Sequence, residues 1–266
     1  MNRIDAKFRE LKRLETKAFI AYIAAGDPAL DVTRRLVPAL EGAGADIIEL
    51  GIPFSDPLAD GPTIQAASQR ALEKKINLGR VFRLVRVLRK KTKIPLVFMT
   101  YYNPVLKYGP GRFIRDCAKN GVDGVIVPDL PFEESMDLVK LARSAGVATI
   151  NLSAPTSTPK RIRALIHNST GFIYYVSLTG VTGARKDLPE EIASKVRSMK
   201  RMTNKPICVG FGVSTPAQAG KLAKTADGVI VGSAIVRVIE KNLARDDLVK
   251  KVSNFAKKLS KAVHGT

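Results

Sequence analysis

The chain has 266 residues, 45% of them apolar, which is long enough to bury one α/β barrel or two smaller domains. It has no apolar run near the ~20 residues of a membrane span and no signal-peptide pattern, so we expect a cytoplasmic protein. The net charge of +20 would attract polyanions, but the lack of tryptophan, of an RNA-binding aromatic signature and of a cysteine–histidine finger argues against dedicated nucleic-acid binding.

Short apolar runs rich in β-branched residues recur along the chain. They lack polar alternation, which predicts parallel strands covered on both faces, and segments of helical periodicity separate them. The eight runs are residues 18–25, 46–50, 94–100, 124–128, 147–152, 172–177, 206–210 and 228–232. Eight strand–helix units favour a (β/α)8 TIM barrel over an open doubly wound sheet. No linker or repeat divides the chain, so we expect one barrel domain over residues 1–266.

Three helices are predicted beyond the regular alternation. An N-terminal helix at residues 2–15 would close the end of the barrel opposite the catalytic end. The gap after the second strand is about twenty residues longer than its neighbours, which leaves room for a helix at 62–75 and an extra one at 78–93. In the extra helix Arg80, Arg83, Arg86 and Arg89 recur near helical spacing, which predicts a solvated face. A closing helix is predicted at 246–263.

Several kinds of catalytic site are disfavoured because the residues they need are missing from the predicted strand ends. Functional groups of such barrels lie where strands end, yet His167 and His264 lie elsewhere, which disfavours a serine hydrolase or a multi-histidine metal site. Helix capping or exposure explains both histidines. No predicted strand ends in lysine, which disfavours a Schiff base. The isolated Cys117 and Cys208 predict packing residues rather than a disulfide or a thiolate metal site.

With those sites disfavoured, the remaining candidates for catalysis are carboxyl groups. Glu49 shares a strand face with Ile47, so it would project into the barrel mouth among apolar groups, where burial would raise its pKa toward that of a general acid–base. Asp60, in "ADGP", lies in a loop able to fold over the same mouth. The alternatives are an ion pair for Glu49 and turn chemistry for Asp56 and Asp60.

Glycine-rich turns indicate a separate phosphate site. "VGFGVSTP" follows the seventh predicted strand and "VGSAIV" the eighth, and both open predicted helices whose first N–H groups can bind phosphate. "LTGVTGAR", after the sixth strand, adds N–H donors and the Thr182 hydroxyl. The alternative is that these glycines serve only tight turns.

Longer segments resemble a known family. "ELGIPFSDPLADGPTIQAA", "DGVIVPDLPFEES", "YYVSLTGVTGAR" and "VGFGVSTPAQA", extended by "AAGDPA" and "ADGVIVGSAIV", resemble the tryptophan synthase alpha subunit across nearly the whole chain. The resemblance implies a phosphate-binding (β/α)8 barrel that cleaves indole-3-glycerol phosphate to indole and glyceraldehyde 3-phosphate by a retro-aldol reaction. It makes Glu49 the general acid–base and Asp60 the carboxylate that holds the indole N–H.

The resemblance also implies substrate-binding residues. Phosphate-loop positions are Gly183, Gly212, Gly232 and Ser233. Thr182 matches the mobile sixth loop that closes over the site and orients Asp60. Positions that line or support the indole pocket are Tyr22, Tyr101, Leu152, Tyr174 and Phe211. Tyr22 departs from the phenylalanine of some members, which bears on the polarity of the pocket.

Members usually pair with a beta subunit in an αββα heterotetramer. The contact residues implied here are Asp56, Pro57, Asn103, Asp129 and Pro131. Pyridoxal phosphate belongs to the beta subunit, so no cofactor and no metal are expected in this chain. The alternatives are a stand-alone indole-3-glycerol phosphate lyase, another phosphate-sugar isomerase or synthase, and a basic binding protein on an inactive barrel.

Overall fold

The computed structural model describes residues 2–176, 188–210 and 212–265. Within these ranges, nine parallel strands form one sheet in the order β5-β4-β3-β2-β1-β9-β8-β7-β6. The strands are β1 (Ala18–Ala24), β2 (Ile47–Gly51), β3 (Leu96–Met99), β4 (Gly124–Ile126), β5 (Ala148–Thr149), β6 (Leu152–Ser153), β7 (Ile173–Val176), β8 (Ile207–Gly210) and β9 (Gly228–Val231). Because β1 pairs with both β2 and β9, the first and last strands are neighbours.

The sheet closes through the fifth strand position. The single strand predicted at 147–152 is split into β5, which pairs with β4, and β6, which pairs with β7. Between them the Ile150 N–H donates to the Val125 carbonyl at 3.0 Å, and the Asn151 carbonyl accepts from the Tyr174 N–H at 3.1 Å. Eight strand positions therefore form a (β/α)8 barrel, which confirms the predicted fold over the open sheet.

Twelve helices lie in the described part of the chain. They are α1 (Arg3–Arg13), α2 (Leu30–Gly42), α3 (Pro62–Glu73), α4 (Leu78–Leu88), α5 (Tyr102–Tyr108), α6 (Pro110–Asn120), α7 (Met136–Ser144), α8 (Pro159–Asn168), α9 (Leu188–Lys200), α10 (Pro216–Ala223), α11 (Ser233–Glu240) and α12 (Leu248–His264). The extra helices predicted at the N-terminus and after the second strand are α1 and α4. The seven-residue α5 was not predicted, because one buried residue, Val105, is too few to give a periodic pattern. None of these helices is long and apolar enough to cross a membrane.

Helix α1 closes the barrel end at which the strands begin. Ile4, Phe8 and Leu11 are buried in the apolar cluster inside the barrel, and the Phe8 ring lies 5.8 Å from that of Phe172. Asn2 caps the helix by accepting from the Ile4 N–H at 2.9 Å, and its amide donates to the Asp123 carbonyl at 2.7 Å. The predicted plug is therefore confirmed.

Asp123 joins several elements at this lower end. Its carboxylate accepts from Arg3 at 2.8 Å, from Arg89 at 2.6 Å and from the Leu96 N–H at 2.8 Å. The prediction that Arg89 shares the solvated arginine face is wrong, because Arg89 follows the last residue of α4 and turns inward to Asp123. Arg83 and Arg86 are exposed as predicted.

His264 belongs to the same end of the barrel. Its Nε2 lies 2.8 Å from Asp46 Oδ2, which also accepts from the Phe19 N–H, so exposure alone does not explain this histidine. His167 is exposed as expected. Cys117 and Cys208 are buried and free, which confirms their packing role.

Candidate active site

Glu49 lies in the barrel interior near the carboxyl end of β2. Residue pairing places it level with Tyr22 on β1 and Val97 on β3, and its side chain shares the inward face with Ile47. Only 1% of Glu49 is exposed, and neither carboxyl oxygen has a hydrogen-bond partner among the described residues. Burial raises the pKa of Glu49 to about 8. No ion pair is found for this group in the described ranges, so at neutral pH the carboxyl group mostly keeps its proton.

Asp60 approaches the same mouth from the loop between β2 and α3. The Tyr101 hydroxyl donates to Asp60 Oδ2 at 3.0 Å and accepts from the Ala59 N–H at 3.0 Å, which ties this loop to the end of β3. Burial raises the pKa of Asp60 to about 6, although the hydrogen bond from Tyr101 acts to lower it. Asp60 is therefore more than a turn residue: it is a half-buried carboxyl group held by a tyrosine.

A cavity of about 320 Å³ opens at the carboxyl ends of the strands. Its lining residues are Tyr22, Glu49, Asp60, Gly61, Ile64, Met99, Tyr174, Gly212, Val213, Ser214, Ile230, Gly232, Ser233 and Arg237. Seven of these were predicted from the sequence. Tyr101 is not among the lining residues, but its hydroxyl group donates a hydrogen bond to Asp60. Leu152 packs against the apolar cluster inside the barrel. Thr182, Gly183 and Phe211 lie outside the described residues.

Two tyrosines, Tyr22 and Tyr174, line the cavity together with the two carboxyl groups. Their hydroxyl groups occupy the space left by glycines on neighbouring strands, since a Cβ on Gly51 would lie 2.0 Å from the Tyr22 hydroxyl and one on Gly210 would lie 2.4 Å from that of Tyr174. Burial raises the pKa of both tyrosines well above the usual value, so both stay neutral. The glycines that end β2 and β8 are therefore needed for close approach of a side chain.

The far side of the cavity is formed by the loops before α10 and α11. At α10 the side chains of Thr215 and Gln218 form a capping box, and Gln218 also accepts from the Ser214 N–H at 2.9 Å. At α11 the N-cap is Gly232, and the Ser233 and Ala234 N–H groups have no partner within the described ranges. The start of α11 is therefore the open helix N-terminus facing the cavity. Gly212, with φ +74°, occupies the left-handed region that glycine favours.

A buried ion pair joins the helices that carry the two sides of the cavity. Arg70, on α3, donates to both carboxylate oxygens of Asp27 at 2.8 and 3.0 Å and to Glu240, on α11, at 3.2 Å. Burial raises the pKa of Asp27 while Arg70 opposes that shift. Helix α3 follows Asp60 directly and α11 begins at Ser233, so Arg70 fixes the two helices relative to each other.

Comparison with known proteins gives one consistent family. A sequence model described as tryptophan synthase alpha chain matches residues 8–264. A tryptophan synthase alpha chain from Thermoanaerobacter sp. (strain X514) is 48% identical over 263 residues, covering 99% of this chain and 100% of the relative. One from Geotalea daltonii is 50% identical over 240 residues, covering 90% and 91%. The chain belongs to the tryptophan synthase alpha chain family.

Solved structures of the family share the fold. Tryptophan synthase subunit alpha from Legionella pneumophila str. Paris superimposes with a TM-score of 0.92 at 37% identity, covering 99% of this chain and 98% of that one. A chain of tryptophan synthase from M. tuberculosis gives 0.88 at 33% identity, covering 98% of each. Membership in the tryptophan synthase alpha chain family confirms the resemblance and the predicted enzyme class, a carbon–carbon lyase acting on indole-3-glycerol phosphate. It also implies a beta-subunit partner.

The residues predicted to contact that partner lie around one part of the rim. They come from the loop after β2, from α5 and from the loop after β4, and the three strands are neighbours in the sheet. Asp56, Asn103, Asp129 and Pro131 are exposed, and Pro57 is half-buried. Asp129 accepts from the Tyr102 N–H at 2.9 and 3.1 Å, which joins two of these loops. Leu58, 91% exposed, lies among them.

Several residues that line this cavity were not predicted from the sequence. Strand periodicity would have found Met99, which shares a face with Val97, and Ile230, which lies two residues before Gly232. Helical periodicity would have found Arg237, four residues after Ser233. No local signal marked Ile64, whose burial depends on how the first turn of α3 leans over the mouth.

Proposed function

We propose that this chain cleaves indole-3-glycerol phosphate to indole and glyceraldehyde 3-phosphate by a retro-aldol reaction in tryptophan biosynthesis. The observation that carries the proposal is that two carboxyl groups, buried Glu49 and half-buried Asp60, line one cavity together with an open helix N-terminus. The carboxyl groups suit acid–base chemistry on an apolar ring, and the helix N-terminus suits a phosphate group.

In this mechanism Glu49 is the general acid and then the general base. Its carboxyl group gives a proton to the indole ring carbon that bears the glycerol side chain, which produces the protonated ring tautomer. The resulting carboxylate removes the proton from the hydroxyl group on the adjacent side-chain carbon. The carbon–carbon bond then breaks, its electron pair restores the aromatic ring, and the side chain leaves as the aldehyde. Glu49 regains its proton, so the cycle balances.

Asp60 has the complementary role. As a carboxylate it accepts a hydrogen bond from the indole N–H group and stabilises the positive charge that the ring gains on protonation. The pKa of about 6 leaves Asp60 mostly ionised at pH 7, whereas the pKa of about 8 leaves Glu49 mostly protonated. Two carboxyl groups whose pKa values are separated by environment can divide acid and electrostatic work in this way. Tyr101 holds Asp60 in place.

The remaining predicted residues bind substrate in this proposal. The phosphate group lies against Gly212, Gly232 and Ser233, where the unpaired N–H groups of α11 serve as donors. Gly183, and Thr182 as the residue that orients Asp60, remain predictions outside the described residues. Tyr22 and Tyr174 line the indole pocket, supported by Leu152 and, as a prediction, by Phe211.

We infer that the chain works in the cytoplasm with the beta subunit as an αββα heterotetramer, through Asp56, Pro57, Asn103, Asp129 and Pro131. It needs no cofactor of its own, because the two carboxyl groups supply the proton and the counter-charge that cleavage requires. Pyridoxal phosphate is expected only in the beta subunit. The full-length family match supports this reading over the stand-alone lyase, the other phosphate-sugar enzymes and the basic binding protein.

The test is indole release from indole-3-glycerol phosphate by the purified chain, with and without a beta subunit. We expect slow release that accelerates when the partner is added. Asp60→Asn should cripple turnover, whereas weakened substrate affinity alone would reduce Asp60 to a binding role. Fast release without the partner would favour the stand-alone lyase. No release in either condition, together with salt-sensitive nucleic-acid binding, would favour the basic binding protein.

A further inference from the structure

Arg237 is the one cationic side chain among the described residues that line the cavity. Its guanidinium group has no hydrogen bond or ion pair with any described residue. Arg70, on α3, is by contrast held by Asp27 and Glu240. An arginine that faces a cavity and is not neutralised from within the protein is available to a ligand.

The position of Arg237 on α11 directs it toward the open end of that helix. Ser233 and Arg237 are four residues apart, so they lie on the same helix face. Side chains on a helix lean toward its N-terminus, so the Arg237 side chain is directed toward the turn that begins at Ser233.

Arg237 is also not paired with the two carboxyl groups of the cavity. Burial alone accounts for the raised pKa of Glu49, and the one group that acts to lower the pKa of Asp60 is Tyr101. Neither carboxyl group has a hydrogen bond or an ion pair with Arg237 in the described part of the chain. The described lining therefore holds two acidic groups and a cation that is paired with neither of them.

We propose that Arg237 binds the phosphate group of the substrate, as a positioning residue of the lyase. The inference rests on the proposed function, because it assigns a ligand group to the same cavity. A phosphate monoester carries a charge of about −1.5 to −2, whereas a helix N-terminus supplies only about half a positive charge. The N–H donors of α11 can hold the oxygens but leave most of the charge uncompensated. Arginine supplies that charge through donors suited to phosphate oxygens.

The competing interpretation is an ordinary surface arginine, since Arg237 is exposed to solvent. A dephosphorylated substrate, indoleglycerol, separates the two interpretations because it keeps the ring and the bond to be cleaved. Lys241 provides a matched control: it is one turn further along, exposed, equally charged and not part of the cavity lining.

The experiment compares the wild type, Arg237→Gln, Arg237→Lys and Lys241→Gln on both substrates. Arg237→Gln should lower kcat/KM for indole-3-glycerol phosphate about tenfold, mainly through KM, as expected for loss of a charge-assisted hydrogen bond. It should leave kcat/KM for indoleglycerol unchanged. Arg237→Lys should recover part of the loss, and Lys241→Gln should match the wild type. Calorimetry with inorganic phosphate should show the weakest binding in Arg237→Gln, partly recovered binding in Arg237→Lys and the wild-type Kd in Lys241→Gln.

An equal loss on both substrates would overturn the proposal in favour of a structural role, and wild-type values in Arg237→Gln would overturn it outright. Failure of the proposed function looks different. In that case the wild type releases no indole from the phosphorylated substrate, while the phosphate titration still reports whether Arg237 binds the anion.

Discussion

At the level of single residues, the burial of Glu49 makes the stability of the fold depend on pH. In the unfolded chain a glutamate ionises near its usual pKa of 4.5, but in the folded chain burial raises that pKa to about 8. The unfolded state therefore loses its proton first as the pH rises from about 4.5 to 8, which weakens folding over that window. By pH 8 the penalty is on the order of a few kcal/mol.

Glu49→Gln tests this account through stability and activity together. The variant should lose less of its free energy of unfolding than the wild type between pH 5 and pH 8, because the titrating group is gone. Indole release should fall by about 10²-fold or more, since glutamine cannot transfer the proton. Urea unfolding at several pH values and a turnover assay measure both effects. Parallel pH profiles of stability in the two proteins would contradict the assignment, and so would normal turnover.

At the level of helices, Arg70 holds α3 and α11 together through Asp27 and Glu240. The Asp27 side chain is fully buried, so Arg70→Met would leave that charge without its partner. We expect a loss of about 3 kcal/mol in the free energy of unfolding and a lower kcat/KM, because Asp60 and Ser233 would lose their fixed relation. Urea denaturation and the indole assay measure these effects.

The double variant Asp27→Asn with Arg70→Met should recover part of the stability, because no buried charge is then left unpaired. The matched control is Arg245→Met, which breaks the exposed pair with Asp247 and should change stability little. Equal losses in Arg70→Met and Arg245→Met would show that burial of Asp27 is not what gives the pair its importance.

Elements that depend on a local apolar pattern could be predicted from the sequence. The strands and the extra helices are of this kind. Glu49 was readable for the same reason, since it interrupts such a pattern at the end of a strand. Its raised pKa followed from the expected apolar surroundings.

Features that depend on contacts between distant segments were not readable. The split of the fifth strand is set by two different neighbours, β4 and β7. The ion pair of Arg70 with Glu240 joins residues 170 positions apart. Arg89 turns inward because it forms an ion pair with Asp123. The tyrosine–glycine contacts belong to the same class, because no pattern in one strand reveals a side chain that crosses from another.

At the level of the whole molecule, we expect one end of the barrel to contribute stability and the other end to carry the chemistry. Asp123 joins α1, β3 and the end of α4 at the lower end, opposite the cavity. Asp123→Asn should therefore lower the free energy of unfolding by about 3 kcal/mol, by leaving the part-buried Arg89 without its charge partner, while kcat/KM stays unchanged. Circular dichroism during urea unfolding and the indole assay measure the two effects. Asp247→Asn, at an exposed pair, is the matched control and should change little.

We also propose that the chain unfolds as one domain, because its first and last strands pair in the same sheet. Far-ultraviolet circular dichroism and tyrosine absorbance should then report a single coincident transition, which Asp123→Asn displaces without splitting. Two separate transitions would contradict the one-domain proposal, and a loss of activity in the folded variant would contradict the division between the two ends.

The pairing of β1 with β9 has a consequence for how the protein is made. Strand β1 is translated well before β9, its neighbour at Gly228–Val231. Until then β1 has a bare edge of backbone N–H and carbonyl groups, the kind of edge that invites pairing with other chains. Closing it requires a contact across more than two hundred residues, which makes folding slow. The nascent chain is therefore most exposed to misassembly while the barrel is still an open sheet.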